Sequence, residues 1–350
     1  MGLVQTWSGL LKIGILGTIS WRTPPRHYGP WETVVYNLTE GLVDRGYDVT
    51  LFATGDSITR AKLEWVCPHG FYEDESLDAG VYQWLHISTA LEKAHEFDIV
   101  HSHYDFYPLT FTRFIKTPLL TTIHGFSSHK ILPVYNKYRD NYYVSISDAD
   151  RAEGLNYLAT VYNGVDVNAF DFNDEAGEYL LFFGRISHDK GTHRAIKVAK
   201  RTGMTLKIAG LVAGEHRKYF DDFIVPQIDG EQIQYLGMVD EKARNDLFRN
   251  AYANLHLVSF AEPFGLTIVE SLACGTPVIA INKGSVPEII TEGKTGFIVN
   301  SLDEAVERID EVSTIDRNDC RNRAEFFSID NMVDGYIKVY DRIMELEAYR

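Results

Sequence analysis

Two glutamates, Glu262 and Glu270, lie within the stretch Ser259 to Pro277, where Pro263, Phe264, Gly265 and Leu266 stand between them. The apolar run ending at Leu257 reads as a strand, Pro263 and Gly265 as a turn, and 264–273 as a helix. A helix start preceded by glycine presents unpaired N–H groups and the positive end of the helix dipole, an arrangement suited to phosphate. Glu270 lies five residues beyond Gly265, which is about 7.5 Å along a helix axis. From there a carboxylate reaches the ribose beside a diphosphate seated on the helix start. Glu262 precedes the turn, where it can accept hydrogen bonds from sugar hydroxyls. The same residues also fit an ordinary amphipathic helix with an acidic cap and a solvent-facing Glu270, so the spacing alone leaves both readings open.

The second group is Gly184, Arg185, Lys190 and Gly191, at another strand-to-helix junction. A guanidinium can hold phosphate oxygens bidentately and an ammonium acts as a point charge, so the pair could neutralise a departing pyrophosphate. A surface ion pair for Arg185 and a solvated Lys190 would equally explain them. A third group, Gly29, Pro30, Trp31 and Glu32, opens the first helix. Gly29 lets a ligand approach the backbone there, although a simple loop cap is an alternative. The sequence contains no GxGxxG, GxSxG or Walker A pattern, so nicotinamide, serine-hydrolase and P-loop chemistry are unsupported. His101, His103 and His124 fall at strand ends. Hydrogen-bonding roles beside a ligand suit them better than metal, and His124, followed by Gly125, is the one expected to face a ligand. Asp148 and Asp150 form a DxD triplet, but Ser147 before them makes a helix N-cap with an acidic first turn the better reading.

These groups require elements that alternate strand and helix. Apolar strands are expected at 11–17, 48–53, 97–101, 118–123 and 142–146, and a second set at 179–183, 205–209, 233–235, 253–257 and 277–281. Helices are expected at 191–202, 216–225, 241–250, 264–273, 303–312 and 331–347. Trp31, Val34, Val35, Leu38 and Leu42 mark the face of the first helix. The pattern predicts an α/β chain of two doubly wound, Rossmann-like domains with parallel sheets, joined through the polar stretch 163–177 and facing a common cleft. No repeat period is present.

The chain has 350 residues, enough for two domains. It is 45% hydrophobic and 24% charged, as expected of a globular protein. The net charge of −15 gives no general attraction to nucleic acid or anionic membranes, so any bound anion needs local cations or backbone N–H groups. Cys67, Cys274 and Cys320 are widely spaced and match no zinc pattern, which predicts a reduced, cytoplasmic-type protein. No apolar run reaches the ~18 residues of a membrane helix. Residues 10–19 read as the first strand and not as a signal peptide. Met1, Gly2 and Thr6 match a myristoylation pattern, a weak signal without a polybasic patch.

Taken in order, the chain resembles the retaining glycosyltransferases of family 4, the glycosyl transferases group 1, which have the GT-B fold. The resemblance rests on residues 29–32, Asp98 to His101, Thr122 to Gly125, Tyr162 to Asp166, Gly184-Arg185 with Lys190-Gly191, the Glu262/Glu270 pair, Gly275 to Val278, and Pro287 to Ile289. It implies an acceptor-side domain over 1–165, a nucleotide-sugar donor domain over 166–330, and a helix over 331–350 that crosses back to the first. It also implies that Arg185 and Lys190 hold the donor diphosphate with the N–H groups at Gly265 and Leu266. Glu270 would bind ribose, and Glu262 with the Phe264-Gly265 backbone would bind the sugar. His124 would contact that sugar, Gly29 would lie near phosphate or acceptor, and Val239 near the base. Lys283, Gly284 and Ser285 stand where the family often has two glycines, and Pro30-Trp31 adds bulk after Gly29. Trp21, Tyr28 and Trp31 are candidate stacking surfaces for an acceptor sugar.

The reaction so implied is transfer of a sugar from a UDP-sugar or GDP-mannose to a hydroxyl of a soluble saccharide or small glycoside. It proceeds with retention, and no metal or other cofactor is required. Rival readings are a GT-B nucleotide-sugar epimerase, a sugar phosphorylase, and a non-catalytic nucleotide- or carbohydrate-binding regulator. The oligomeric state is not legible.

Overall fold

A computed structural model of the chain describes residues 11–26, 29–125 and 129–349. The amino-terminal myristoylation pattern and Tyr28 lie outside the described residues. The chain divides into two compact units. The first is built from the chain up to Ile146, from Arg151–Gly164 and from Ile329 onward, and the second from Ser147–Asp150 and Val165–Ser328.

The first unit carries β1 (Lys12–Leu16), β2 (Asp48–Ala53), β3 (Lys62–Trp65), β4 (Ile99–Ser102), β5 (Leu119–Ile123), β6 (Tyr142–Ser145) and β7 (Tyr157–Thr160). They form one parallel sheet in the order 3-2-1-4-5-6-7, with Ile13 opposite both Val49 and Ile99. The central strands are buried along nearly their whole length, because helices cover both faces. Pro30 opens the helix Pro30–Asp44, whose buried face carries Val34, Val35, Leu38 and Leu42. The last helix, Ile329–Ala348, belongs to this unit. Its Tyr336 hydroxyl lies 2.9 Å from Thr122 Oγ1, and its Tyr340 hydroxyl lies 2.8 Å from His101 Nδ1.

The second unit carries β8 (Tyr179–Phe183), β9 (Thr205–Ala209), β10 (Ile233–Gly237), β11 (Ala251–His256), β12 (Val278–Ile281) and β13 (Gly296–Val299). This parallel sheet has the order 10-9-8-11-12-13. Strand order reverses beside β8, between β8 and β11. In open parallel sheets the carboxyl ends of two such strands flank the ligand crevice.

Several expected elements differ. No helix follows Ser147. Residues 147–150 form a turn in which the Asp150 N–H donates to the Ser147 hydroxyl at 3.2 Å, as a cap would, while the Asp148 and Ala149 N–H groups each donate at 2.8 Å to the Glu288 carboxylate. The helix expected at 216–225 is split into short α, π and 3₁₀ turns, the last with Pro226 in its first turn. The one expected at 303–312 stops at Glu307 and resumes as a 3₁₀ turn from Asp310.

Candidate functional site

β8 and β11 are neighbours, so the segments leaving their carboxyl ends meet. Gly184 to Gly191 leads from β8 into the helix Thr192–Thr202, and Leu257 to Gly265 leads from β11 into the helix Leu266–Ala273. The Ser259 N–H donates to the Asp189 carbonyl at 2.8 Å, tying one segment to the other. Arg194 reinforces this with a hydrogen bond to the Val258 carbonyl at 3.2 Å.

Lys190 and Glu262 are brought together by this arrangement. Lys190 Nζ lies 2.6 Å from Glu262 Oε2, and the Glu262 side chain is only 8% exposed. Burial alone would raise the Glu262 carboxyl, but the Lys190 charge and His256 outweigh it and hold the group at about 2. His256, the last residue of β11, places Nε2 3.2 Å from the same oxygen. The Lys190 ammonium also sits 4.9 Å from the centre of the Phe260 ring.

Arg185 is held more loosely. Its one ion pair among the described residues is to Asp189 at 3.4 Å, and its Nε is buried without a partner there. The guanidinium is thus placed at the strand edge with donors to spare.

Gly265 starts the Leu266–Ala273 helix in the left-handed conformation (φ 80°), with no side-chain cap. The Phe264 ring is buried at 2% exposure and packs on Phe327, so only the Phe264 backbone is suited to meet a ligand. Glu270 is not solvent-facing. Its side chain is 14% exposed and its Oε1 lies 3.3 Å from Arg244 NH1 on the facing helix Glu241–Arg249. Burial raises its carboxyl, with Arg244 opposing the shift. Val239 is half-buried in the loop between β10 and the Asp240 cap of that helix.

The departure at Lys283 to Ser285 has a structural account. Lys283 Nζ donates to the Ser259 carbonyl at 2.7 Å. The Ser285 N–H donates to the Glu262 carbonyl at 2.9 Å, and its hydroxyl donates to the Phe264 carbonyl at 2.9 Å. Gly284 (φ 61°) sits so close to the Glu262 backbone that a Cβ would collide with it. One glycine is required for this approach, and its neighbours clamp the Glu262 segment instead of opening it.

The remaining expected residues lie in the first unit. His124 follows β5 and is buried. Its Nε2 is 2.9 Å from His103 Nδ1, its ring stacks on Trp31 at 5.4 Å, and burial holds its imidazole down at about 3. It is therefore neutral near pH 7. His101 does not face a ligand. It is fully buried between Thr122 and Tyr340, because the last helix covers it. Gly29 packs against Pro25 and Glu32, leaving no room for a Cβ. Trp31 packs on His124, and Trp21 lies 5.4 Å from the exposed Tyr72. Among the described residues, no group of three His, Cys, Asp or Glu side chains is placed to hold a metal.

Sequence reasoning missed His256 and Arg244, and it named Glu32 and the 287–289 motif without showing that Glu32 is buried or that Glu288 accepts backbone N–H bonds. Glu32 is buried and accepts from Thr18 Oγ1 at 2.6 Å, and burial raises its carboxyl. Asp150, read from sequence as part of a helix first turn, has a buried Oδ2 without a partner among the described residues, and burial beside Glu288 raises it to about 7. Of the two missed residues, only His256, at a strand end, offered a signal.

Residues 31–169 match the family described as Glycosyltransferase Family 4, and residues 168–326 match Glycosyl transferases group 1. An uncharacterised glycosyltransferase of Methanocaldococcus jannaschii is 22% identical, over 95% of this chain and 99% of its own length. Glycogen synthase of Mycobacterium tuberculosis is 25% identical over 79% of this chain and 80% of its own. Among solved structures, HepE of Anabaena in complex with UDP and glucose superposes with a TM-score of 0.73 at 18% identity, covering 95% of this chain and all of that one. The two family matches adjoin and together run from residue 31 to residue 326, and the two parallel sheets are those of the GT-B fold. The chain belongs to the group 1, family 4 type of GT-B glycosyltransferases.

Proposed function

We propose that the enzyme transfers a sugar from a nucleoside diphosphate sugar, a UDP-sugar or GDP-mannose, to a hydroxyl of a saccharide or small glycoside, with retention. The observation that carries the reading is the buried Lys190–Glu262 pair beside Arg185, at the carboxyl ends of β8 and β11 and next to the uncapped helix start at Gly265. Arg185, Lys190 and the Leu266 N–H would carry the charge that grows on the diphosphate as the bond to the sugar breaks. These groups supply the neutralising positive charge from the protein itself, which is the basis for proposing that no metal is required.

Glu262 has a different task. Ionised at neutral pH, it orients Lys190 and accepts hydrogen bonds from sugar hydroxyls. Glu270 binds ribose, Val239 lies by the base, and neutral His124 contacts the transferred sugar. In the transfer, the acceptor oxygen bonds to the anomeric carbon on the face the diphosphate leaves, and a phosphate oxygen takes the acceptor proton. No protein nucleophile is needed.

A thermal-shift series with UDP, GDP, ADP and CMP, without added metal, tests the donor half. A ligand at ~100 times its Kd stabilises by about 2.7 kcal/mol. A shift with UDP or GDP alone supports the reading. A flat response to all four contradicts it. Proton NMR of the product tests retention, and an inverted anomer contradicts it.

A further inference from the structure

The net charge of −15 hides a local reversal. Between Phe106 and Arg139 the chain carries five basic residues, Arg113, Lys116, Lys130, Lys137 and Arg139, and no Asp or Glu. The structure gathers part of this run on one surface of the first unit. The 3₁₀ helix Tyr107–Phe114 and the helix Leu132–Lys137 line a cavity of about 570 Å³, with Arg113, Phe114 and Lys137 on its walls. Arg113 and Lys137 both lie over the Tyr138 ring, at 5.6 and 5.2 Å. Neither they nor Lys116 has a carboxylate partner among the described residues. Phe114, between Arg113 and Lys116, is 83% exposed. Three residues earlier, Phe111 meets the edge of the half-exposed Trp84, at 6.1 Å between ring centres.

The exposed Phe114 and half-exposed Trp84 thus stand close to cations that have no carboxylate partner among the described residues, a combination of apolar and basic groups. Its charge is opposite to that of the chain, so a second copy of this acidic protein offers it no general attraction. A bilayer surface with anionic headgroups meets both halves of the patch. The aromatic side chains enter the interface while Arg113, Lys116 and Lys137 face the headgroups. We propose that this face docks the enzyme peripherally on anionic lipid. Net charge alone, which argued for no membrane attraction, averages this patch away. The docking is independent of the proposed donor chemistry and is measured without donor.

The test is co-sedimentation of the full chain with phosphatidylcholine vesicles containing or lacking 30 mol% phosphatidylglycerol. Binding to the anionic vesicles only, weakened by salt, is expected. Each cation contributes about fivefold in partitioning. The triple variant Arg113→Ala, Lys116→Ala, Lys137→Ala therefore binds about 100-fold more weakly, and Phe114→Ser about tenfold more weakly, the scale of losing one buried aromatic side chain. Melting temperatures and nucleotide shifts of these variants stay at wild-type values, since the exposed side chains support no core. Equal sedimentation with both vesicle types, or variants that bind as wild type, would overturn the proposal. So would displacement of the bound protein by millimolar glycerol phosphate, which would assign the patch to a soluble anion.

Discussion

Lys190 and Glu262 lie 72 residues apart in sequence, yet their charged atoms are 2.6 Å apart, in the two segments that leave the adjacent parallel strands β8 and β11. The pair joins the fold of the second unit to its proposed chemistry. Removing Lys190 leaves a buried carboxylate without its cation, which costs about 3 kcal/mol. Lys190→Ala is therefore expected to lose both stability and activity. Adding Glu262→Gln removes the stranded charge, so the double variant regains most of the stability. Turnover stays about 10²-fold down, because the diphosphate still lacks its ammonium. Urea unfolding and donor turnover on the same samples check this, and recovery of turnover with stability would assign Lys190 a structural task only.

The same pair makes stability depend on acid. The Glu262 carboxyl sits at about 2 in the fold against an ordinary 4.5, so the native state binds fewer protons than the unfolded chain between those values. Its contribution, about 3 kcal/mol, is complete above pH 4.5 and is lost as the pH falls toward 2. The stability difference between wild type and Glu262→Gln is expected to shrink steadily over that window. A difference that is flat across it would show that Lys190 does not hold the carboxyl down.

Glu270 is paired with Arg244 across two helices and is proposed to face the ribose. Glu270→Gln should weaken nucleotide binding about tenfold, the scale of one hydrogen bond to a charged group. It should also erase the enzyme's discrimination against a deoxyribose nucleotide. Calorimetry with the ribo and deoxy forms reads both. Persistent discrimination in the variant would place the ribose elsewhere.

Gly284 has φ 61° and touches the Glu262 backbone. Gly284→Ala combines backbone strain with a collision and should destabilise by about 2 kcal/mol or more. Ser285→Ala removes only the hydrogen bond to the Phe264 carbonyl and should cost about 1 kcal/mol. Equal, small effects in chemical denaturation would mean that the Gly284 contact yields readily.

Strands β2, β8 and β9 are legible residue for residue, because each is a largely apolar run between polar turns. β3 and β7 are edge strands of partly exposed residues, and their weak pattern did not separate from loop. The helix Ala79–Glu92 was missed because Val81, Trp84 and Leu85 are exposed while His86 is buried, which inverts the usual amphipathic signal. In the site, Lys190, Arg185, Glu262 and Glu270 stand in recognisable local motifs. Two further partners, Arg244 and His256, do not. Arg244 meets Glu270 only through helix packing, and His256 meets Glu262 only because β11 ends beside the turn. At Ser147 the local signal is half right: its hydroxyl accepts from the Asp150 N–H, but no helix continues, and the Glu288 carboxylate that binds the Asp148 and Ala149 N–H groups comes from far along the chain.

Arg185 gives the most direct access to the central claim, that the β8–β11 edge binds a nucleoside diphosphate. Its one weak contact to Asp189 means that Arg185→Ala strands no buried charge and should leave the fold intact. The decisive measurement is calorimetric titration of wild type and Arg185→Ala with UDP and with GDP. Wild type is expected to bind one of the two, and the variant to bind it about 10- to 100-fold more weakly, the loss of a charge-assisted hydrogen bond. Wild type that binds neither, or a variant that binds as tightly as wild type, would contradict the claim.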